Sequence, residues 1–309
     1  MAAIDCGTNS IRLLVADVGP TPDGGVGLVD LTRRMEIVRL GQDVDRTGRL
    51  SAEAISRTRA ALVDYARAID AFGAERVRMV ATSATRDAVN AHEFTDLVWE
   101  ILGVAPEVVS GREEAQLSFT GAVRGLPASA RAPYLVVDIG GGSTEFVLGD
   151  GTGVKAAESV DMGCVRMTER HLTGDPPTAA QVASAEADIG ALTERAVTAV
   201  GGAGAATLVG LAGSVTTVAG IALDLPEYDS SRIHHTEIGF QAVARVTADL
   251  LAMTRAQRRA LPVMHPGRAD VIAAGALILR VVMERSGAST VVVSEHDILD
   301  GIAWSVAGY

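Results

Sequence analysis

The sequence of 309 residues has few aromatic side chains, few cysteines and almost no lysine. Phe, Tyr and Trp make up 4% of the chain, there are two cysteines, and Lys155 is the only lysine. Two thiols cannot form a disulfide framework, so we expect a cytoplasmic protein. Because aromatic residues are few, we expect its cores to be built from aliphatic side chains. No apolar stretch approaches the length of a membrane span and no secretory leader is recognisable, so we expect no membrane partner.

Negative charge dominates, with a formal net charge of −11 at pH 7. Such a charge argues against nucleic acid or an anionic membrane as a general partner. A polyanionic ligand would need a local positive site, and the abundant arginines could supply bidentate contacts to phosphate.

Length and composition predict two domains. A hydrophobic share of 48% in 309 residues is sufficient for two cores. Residues 125–133 are rich in small residues, Pro and Gly and are expected to form the linker, which gives domains at 1–125 and 126–309. We expect the last helix, at about 298–307, to pack back on the first domain. Strands alternate with helices along the whole chain, which predicts the α/β class.

A glycine-rich motif, Asp138-Ile-Gly-Gly-Gly-Ser-Thr-Glu145, lies between two apolar segments that are typical of strands. Glycines allow the backbone to approach a ligand and to direct successive N–H groups at phosphate oxygens. Asp138 and Glu145 at the two ends suit Mg²⁺, which takes one or two protein carboxylates and keeps several waters. A tight hairpin with solvated acids is the simpler alternative.

The N-terminus carries a second copy of this motif. Asp5-Cys-Gly-Thr-Asn-Ser-Ile-Arg12 aligns with 138–145 without gaps, and Asp, Gly and Ser match at the first, third and sixth places. Two copies between apolar strands indicate duplicated domains that face each other across a cleft. Each loop would then deliver backbone donors to the same phosphate chain.

An acid pair, Glu113-Glu114, follows Ser110-Gly111 at a predicted helix start. Such a pair is also typical of an ordinary helix N-terminus, with Ser110 as the N-cap and acids that favour the helix dipole. The functional interpretation is that one Glu orients a water for attack on a terminal phosphorus.

Seven segments together resemble the exopolyphosphatase/guanosine pentaphosphate phosphohydrolase (Ppx/GppA) family, in its short actinobacterial two-domain form. They are the two motifs above, Thr82–Ala88, Ser110–Ala115, Gly163–Arg166, Gly213–Thr217 and Arg268–Asp270. The resemblance covers nearly the whole chain. It implies a duplicated actin-like (sugar kinase/Hsp70/actin, ribonuclease H-like) two-domain fold with an interdomain cleft.

The resemblance also implies roles for individual residues. Glu114 corresponds to the catalytic base, and Asp138, Glu145 and Asp5 to the metal-associated acids, with Mg²⁺ as the expected ion and Mn²⁺ as its alternative. The expected phosphate-binding residues are Gly7, Thr8, Asn9, Ser10, Arg12, Arg86, Gly140, Gly141, Gly142, Ser143, Thr144, Arg166, Gly213, Ser214 and Arg268. Near the C-terminus, His296–Gly301 departs from the family pattern and lacks its arginine.

These residues predict Mg²⁺-dependent hydrolysis of a terminal phosphoanhydride, in polyphosphate or in guanosine pentaphosphate (pppGpp). A kinase of the same superfamily is one alternative, because the duplicated loops and Gly213–Thr217 fit it equally well. A non-enzymatic actin-like nucleotide switch is the other, and it rests on fold analogy alone. A homodimer is expected from base rates only.

Overall fold

The computed structural model describes residues 1–20 and 25–308. The glycine-rich turn that the sequence predicts at 24–27 begins outside these residues. The chain divides into two compact units: unit 1 is Met1–Gly121 with the C-terminal segment from Ile298, and unit 2 is Ala122–Asp297. Residues 125–133, the predicted linker, form neither helix nor strand.

Unit 1 is built on one five-stranded mixed sheet. Its strands are β1 (Ala2–Cys6), β2 (Ile11–Pro20), β3 (Val26–Glu36), β4 (Val77–Ala81) and β5 (Glu107–Val108). Its helices are α1 (Val44–Thr47), α2 (Ala52–Ala71), α3 (Ser83–Asp87), α4 (Ala91–Leu102) and α5 (Gly111–Val123). The strand order is β3-β2-β1-β4-β5, with β1 to β3 antiparallel and β4 and β5 parallel to β1.

Unit 2 repeats this topology. Its strands are β6 (Tyr134–Ile139), β7 (Thr144–Asp150), β8 (Gly153–Val160), β9 (Thr207–Leu211), β10 (Glu237–Gly239) and β11 (Thr290–Val293). The sheet order β8-β7-β6-β9-β11 matches that of unit 1, and β10 adds one antiparallel edge strand. The α/β class and the duplicated topology expected of an actin-like protein are therefore confirmed.

Helices cover the sheet of unit 2. They are α6 (Cys164–His171), α7 (Ala179–Val200), α8 (Ala212–Ala222), α9 (Ser230–Ile233), α10 (Phe240–Ala252), α11 (Arg255–Arg259) and α12 (Ile272–Ser286), with a 3₁₀ turn at Pro266–Arg268. The longest, α7, begins with a capping box in which Thr178 and Gln181 bond reciprocally. In unit 1, Ser51 caps α2, since the Ser51 hydroxyl accepts from the Ala54 N–H at 3.2 Å.

The last helix, α13 (Ile298–Ala307), packs in unit 1 against β1, β2 and β4. Its residues Ile298 and Ile302 join Ala3 and Leu14 in a buried cluster. Asp300 lies in the segment 296–301, which departs from the family pattern. Arg33 donates to both carboxylate oxygens of Asp300, at 2.5 and 3.2 Å. Asp300, in the segment that lacks the family's arginine, is thus paired with an arginine of β3.

The parallel strands of each unit end at one edge of its sheet. In unit 1 this edge carries the predicted motif residues after β1, β4 and β5, and in unit 2 it carries those after β6 and β9. The candidate residues of each unit are therefore gathered at the carboxyl ends of its strands, where α/β sheets place ligand sites. Across the described residues, no helix is both long and apolar enough to span a bilayer.

Candidate active site

The hairpin between β6 and β7 turns through Gly140–Ser143, and helix α6 holds this turn from one side. The Gly140 N–H donates to the Ser143 carbonyl at 3.1 Å. The Gly140 carbonyl accepts from the Cys164 N–H at 2.9 Å, and the Gly141 carbonyl accepts from the Val165 N–H at the same distance. In addition, Arg166 Nε donates to the Gly142 carbonyl at 2.7 Å. All three carbonyls of the loop therefore point towards α6.

This arrangement orients the loop amides. In a trans peptide the N–H points opposite to the preceding C=O. Since the carbonyls of residues 140–142 point to α6, the N–H groups of residues 141–143 point to the other side. Three successive amides directed the same way form a donor set suited to phosphate oxygens.

Gly163 makes the contact between α6 and the loop possible. A Cβ at this position would lie 2.2 Å from the Gly141 carbonyl oxygen and 2.5 Å from the Gly142 nitrogen. Both are backbone atoms, so the loop itself would have to move. Glycine is required here for close backbone approach and not for an unusual dihedral angle.

The hairpin between β1 and β2 has the same turn with a different support. The Gly7 N–H donates to the Ser10 carbonyl at 2.9 Å, while the carbonyls of Thr8 and Asn9 accept from the N–H groups of Gly41 and Arg39, both at 2.8 Å. The amides of Asn9 and Ser10 therefore face away from residues 39–41. The Thr8 hydroxyl is hydrogen-bonded to the Ser83 hydroxyl at 2.8 Å.

The two hairpins differ at the second cross-strand pair from the turn. In unit 2, Asp138 pairs with Glu145, and the two are 7% and 1% exposed. In unit 1, Asp5 pairs with Arg12 at the same register, and Arg12 donates to Asp5 Oδ2 from Nε at 3.0 Å and from Nη2 at 2.6 Å. Cross-strand partners lie on one face of a sheet. At this register unit 2 has two buried acidic side chains, and unit 1 has an Asp–Arg ion pair.

The donor set of Asp138 and Glu145 fits a hard divalent cation. Both side chains are buried and lie on one face of the sheet, and carboxylate oxygens are the ligands that hard cations prefer. The Ser159 hydroxyl donates to Glu145 Oε1 at 2.8 Å and so orients that carboxylate. Among the described residues, no group of three His, Cys, Asp or Glu side chains is arranged to hold a metal by itself. Mg²⁺ does not need one, because it typically binds one or two carboxylates together with water and substrate phosphates.

The acid pair at the start of α5 is divided between two roles. Ser110 accepts from the Glu113 N–H at 3.2 Å, so the predicted N-cap is present. Glu113 is exposed and paired with Arg78 at 3.2 Å. Glu114 is only 8% exposed, and its Oε2 accepts from Arg86 Nη1 at 3.1 Å. Of the two acids, Glu114 is the one held in place.

Arg86 is also anchored to the sheet. The same Nη1 donates to the Val109 carbonyl at 2.9 Å. The Val109 N–H in turn bonds to the Ala81 carbonyl at 3.1 Å, so Arg86 reaches across the ends of β4 and β5. Unit 1 therefore brings Glu114, Arg86 and the ends of its parallel strands together.

The remaining predicted residues of unit 2 lie after β9 and at the 3₁₀ turn. Gly213 and Ser214 are in the first turn of α8, and the guanidinium of Arg268 lies against Gly213. Thr144 is fully buried and its hydroxyl donates to the Met162 carbonyl, so its side chain serves the hairpin rather than a ligand.

Several residues that support the site were not found from the sequence. They are Gly41, Gly163, Ser83 and Ser159. Gly163 begins one of the seven family-like segments, but its function depends on how closely α6 approaches the loop, which no sequence pattern reveals. Ser83 also belongs to one of these segments, and its hydroxyl partner, Thr8, is 75 residues away.

Comparison with known proteins identifies the family of this chain. The profile of the Ppx/GppA phosphatase family matches residues 20–308, which is nearly the whole chain. The chain belongs to the Ppx/GppA phosphatase family. The resemblance drawn from the seven segments is therefore confirmed.

Two relatives show the range of this family. A Mycobacterium tuberculosis protein named "Exopolyphosphatase 2" is 52% identical, and the match covers 100% of this chain and 98% of that protein. A "Guanosine-5'-triphosphate,3'-diphosphate pyrophosphatase" from Vibrio cholerae is 39% identical over 170 residues, covering 55% of this chain and 33% of that protein. The first relative matches end to end, whereas the second shares only part of each chain.

Solved structures give the same result for the fold. An exopolyphosphatase-like protein superposes with a TM-score of 0.92 at 43% identity, covering 98% of this chain and 97% of that one. A Ppx/GppA member from Aquifex aeolicus superposes with a TM-score of 0.80 at 29% identity, covering 99% and 96%.

Proposed function

We propose that this Ppx/GppA protein is an exopolyphosphatase, which releases terminal orthophosphate from inorganic polyphosphate by hydrolysis. The observation that carries the proposal is the Gly140–Ser143 turn, whose amides are oriented by α6 beside two buried carboxylates. The end-to-end match to the M. tuberculosis relative named "Exopolyphosphatase 2" supports polyphosphate as the substrate.

Each unit contributes its own groups to the proposed reaction. In unit 2, the amides of residues 141–143 hold non-bridging oxygens, and Arg166 fixes the loop. Asp138 and Glu145 would hold Mg²⁺, with Mn²⁺ as the alternative. When bound, the ion supplies positive charge that neutralises the phosphate oxygens.

In unit 1, Glu114 is the proposed base. Its carboxylate accepts a proton from water and orients that water towards the terminal phosphorus, while Arg86 fixes the direction of the carboxylate. The amides of residues 9 and 10 and the guanidinium of Arg12 are the proposed phosphate donors of this unit. The expectation that both loops act on one phosphate chain across a cleft stays a prediction.

Guanosine pentaphosphate is the second candidate substrate. It is favoured by the partial match to the Vibrio cholerae pyrophosphatase, and its hydrolysis would give ppGpp, a role in the stringent response. Membership of a phosphatase family favours hydrolysis over the kinase and the nucleotide switch. Cytoplasmic location, which the two free thiols Cys6 and Cys164 support, and a homodimer remain expectations.

One experiment tests the proposal. Phosphate release by the purified protein is measured with short polyphosphate, long polyphosphate and pppGpp, each with and without Mg²⁺. We expect release from polyphosphate that depends on Mg²⁺. Release from pppGpp alone would transfer the proposal to the second substrate, and transfer of phosphate from ATP to an added acceptor would favour the kinase.

A further inference from the structure

Helix α8 starts directly at the end of β9, without an intervening loop. Ala212, its first residue, has a φ of 67°, a left-handed conformation that residues with a Cβ rarely adopt. Strain of this kind persists where the surroundings demand a particular placement. The residue placed by this sharp turn is Gly213.

The guanidinium of Arg268 occupies the space where a side chain of residue 213 would lie. A Cβ built on Gly213 would be 2.2 Å from Cζ, 2.3 Å from Nη2 and 2.7 Å from Nε of Arg268. Three atoms of the planar group are thus nearly equidistant from that point, so the guanidinium packs against the open face of Gly213.

This placement puts the positive charge of Arg268 within reach of neighbouring groups at the carboxyl edge of the sheet. Burial raises the pKa of Cys164, and the Ser214 hydroxyl and the charge of Arg268 act in the opposite direction. Burial and Glu295 likewise raise the pKa of Tyr228, while Arg268 lowers it. Arg268 therefore lies near Cys164 at the start of α6, Gly213 in α8 and Tyr228 after α8.

We infer that Gly213 is a positioning residue, because its lack of a side chain leaves the space in which the guanidinium of Arg268 is seated. The inference rests on the proposed function together with the expectation from the family resemblance that Arg268 binds phosphate. It gives Gly213 a role beyond the phosphate contact expected from the sequence, namely the placement of Arg268. Gly163, beside the Gly140 loop, differs from Gly213, because the atoms nearest to its added Cβ would be backbone atoms of the loop.

The Gly213→Ala variant is expected to fold. The clashing atoms belong to the far end of a flexible side chain, so Arg268 can swing aside while the backbone stays in place. Displacing a guanidinium from a charge-assisted contact costs on the order of a tenfold loss of affinity. We therefore expect the KM for tripolyphosphate to rise about tenfold in Gly213→Ala, with a smaller change in kcat.

The decisive comparison uses Gly213→Ala, Arg268→Ala and the double variant. If Gly213 acts only by seating Arg268, adding Gly213→Ala to Arg268→Ala leaves KM unchanged. A further rise in the double variant would show that Gly213 contributes on its own and would overturn the inference. The matched control is Gly190→Ala, a helical glycine whose added Cβ would lie 3.6 Å from Arg285 Nη2, at ordinary contact distance. Its KM should equal that of the parent protein.

A crystal structure of Gly213→Ala separates this inference from the proposed function. We expect the Arg268 guanidinium to have left the face of residue 213, whichever substrate the enzyme uses. A guanidinium still in its original place would overturn the inference even if polyphosphate is hydrolysed. Absence of phosphate release from the parent protein would instead count against the proposed function alone.

Discussion

The hairpins of the two units share a turn and differ in how it is held and charged. In unit 2 the N-terminus of α6 binds the loop carbonyls, and two acids pair across the strands. In unit 1 the irregular segment 39–41 binds the loop, and Asp5 is neutralised by Arg12. The backbone of the repeat is therefore retained, while its side chains have diverged into an acidic hairpin and an ion-paired one.

This difference suggests a division of work between the units. The acidic hairpin has three oriented amides and a donor set that suits a cation. The ion-paired hairpin presents an arginine, and its unit carries the Arg86–Glu114 pair. Predictions that act on one hairpin and spare the other can test whether this division holds.

The largest expected effect comes from unit 1 alone. Glu114→Gln keeps the size of the side chain but removes the group that accepts a proton. Loss of a general base typically lowers the rate by about 10²–10⁴-fold. We expect phosphate release to fall by this amount with an unchanged thermal midpoint. Glu113→Gln, on the exposed neighbour, is the control and should retain activity. Normal turnover by Glu114→Gln would contradict the assignment of the base.

The next effect separates the two aspartates. Asp138→Asn should raise the Mg²⁺ concentration needed for half-maximal activity by on the order of tenfold or more. Loss of a residue that only supports a metal ligand already weakens metal binding by about 10–100-fold, and Asp138 is proposed as a ligand itself. In Asp5→Asn we expect a higher substrate KM instead, because Asp5 holds Arg12. Titration of activity with Mg²⁺ distinguishes the two. An equal rise in metal requirement in both variants would support Asp5 as a metal ligand, as the sequence predicts.

A smaller effect concerns the glycines that support the turns. Gly163→Ala brings a methyl onto the loop backbone and should destabilise unit 2 by about 1–3 kcal/mol, the usual cost of overpacking. In Gly41→Ala the methyl would lie 2.3 Å from Thr8 Cγ2, a side-chain atom. Adding Thr8→Ser removes that Cγ2 and keeps the hydroxyl, so it should recover part of the stability lost in Gly41→Ala.

Thermal unfolding measures both changes. Gly190→Ala, on α7, serves as a control, because its Cβ would lie 3.6 Å from Arg285 Nη2, at ordinary contact distance. No recovery in the Gly41→Ala/Thr8→Ser variant would show that Thr8 is not the obstacle.

The smallest effect is expected at the thiols, one in each unit. Burial and the nearby Asp5 raise the pKa of Cys6, and burial raises the pKa of Cys164. A raised pKa keeps a thiol protonated at neutral pH, and the neutral form is a poor nucleophile. Neither cysteine should react with Ellman's reagent in the native protein at pH 7–8, whereas both should react in urea. Rapid native labelling of one cysteine would show that its unit opens.

Much of this architecture was predictable from residue patterns. The aligned motifs at 5–12 and 138–145 predicted the repeat, since each places a turn between two apolar strands, and both hairpins are present. The Ser110 cap was predictable because capping is local. The support of the turns was not predictable, because Gly163 and Gly41 act through contacts that depend on tertiary approach.

Charge pairing was the other limit. Asp5 and Asp138 align in the two motifs, so the sequence predicts the same role for both. The strand register shows that Asp5 pairs with Arg12, whereas Asp138 pairs with Glu145. Likewise Glu113 and Glu114 are equivalent in sequence, yet the helix turns one outward to Arg78 and the other inward to Arg86.

The position of α13 has a consequence for biosynthesis. Its residues Ile298 and Ile302 fill a cluster with Ala3 and Leu14, and Gly301 lies so close to α5 that a Cβ there would be 2.0 Å from the Leu117 carbonyl oxygen. Strands β1 and β2 therefore leave the ribosome long before α13. The buried cluster that they share with α13 is incomplete until that helix has been synthesised. All strands and helices of unit 2 precede α13 in the chain, so this one cluster of unit 1 should be completed only after unit 2 has been synthesised.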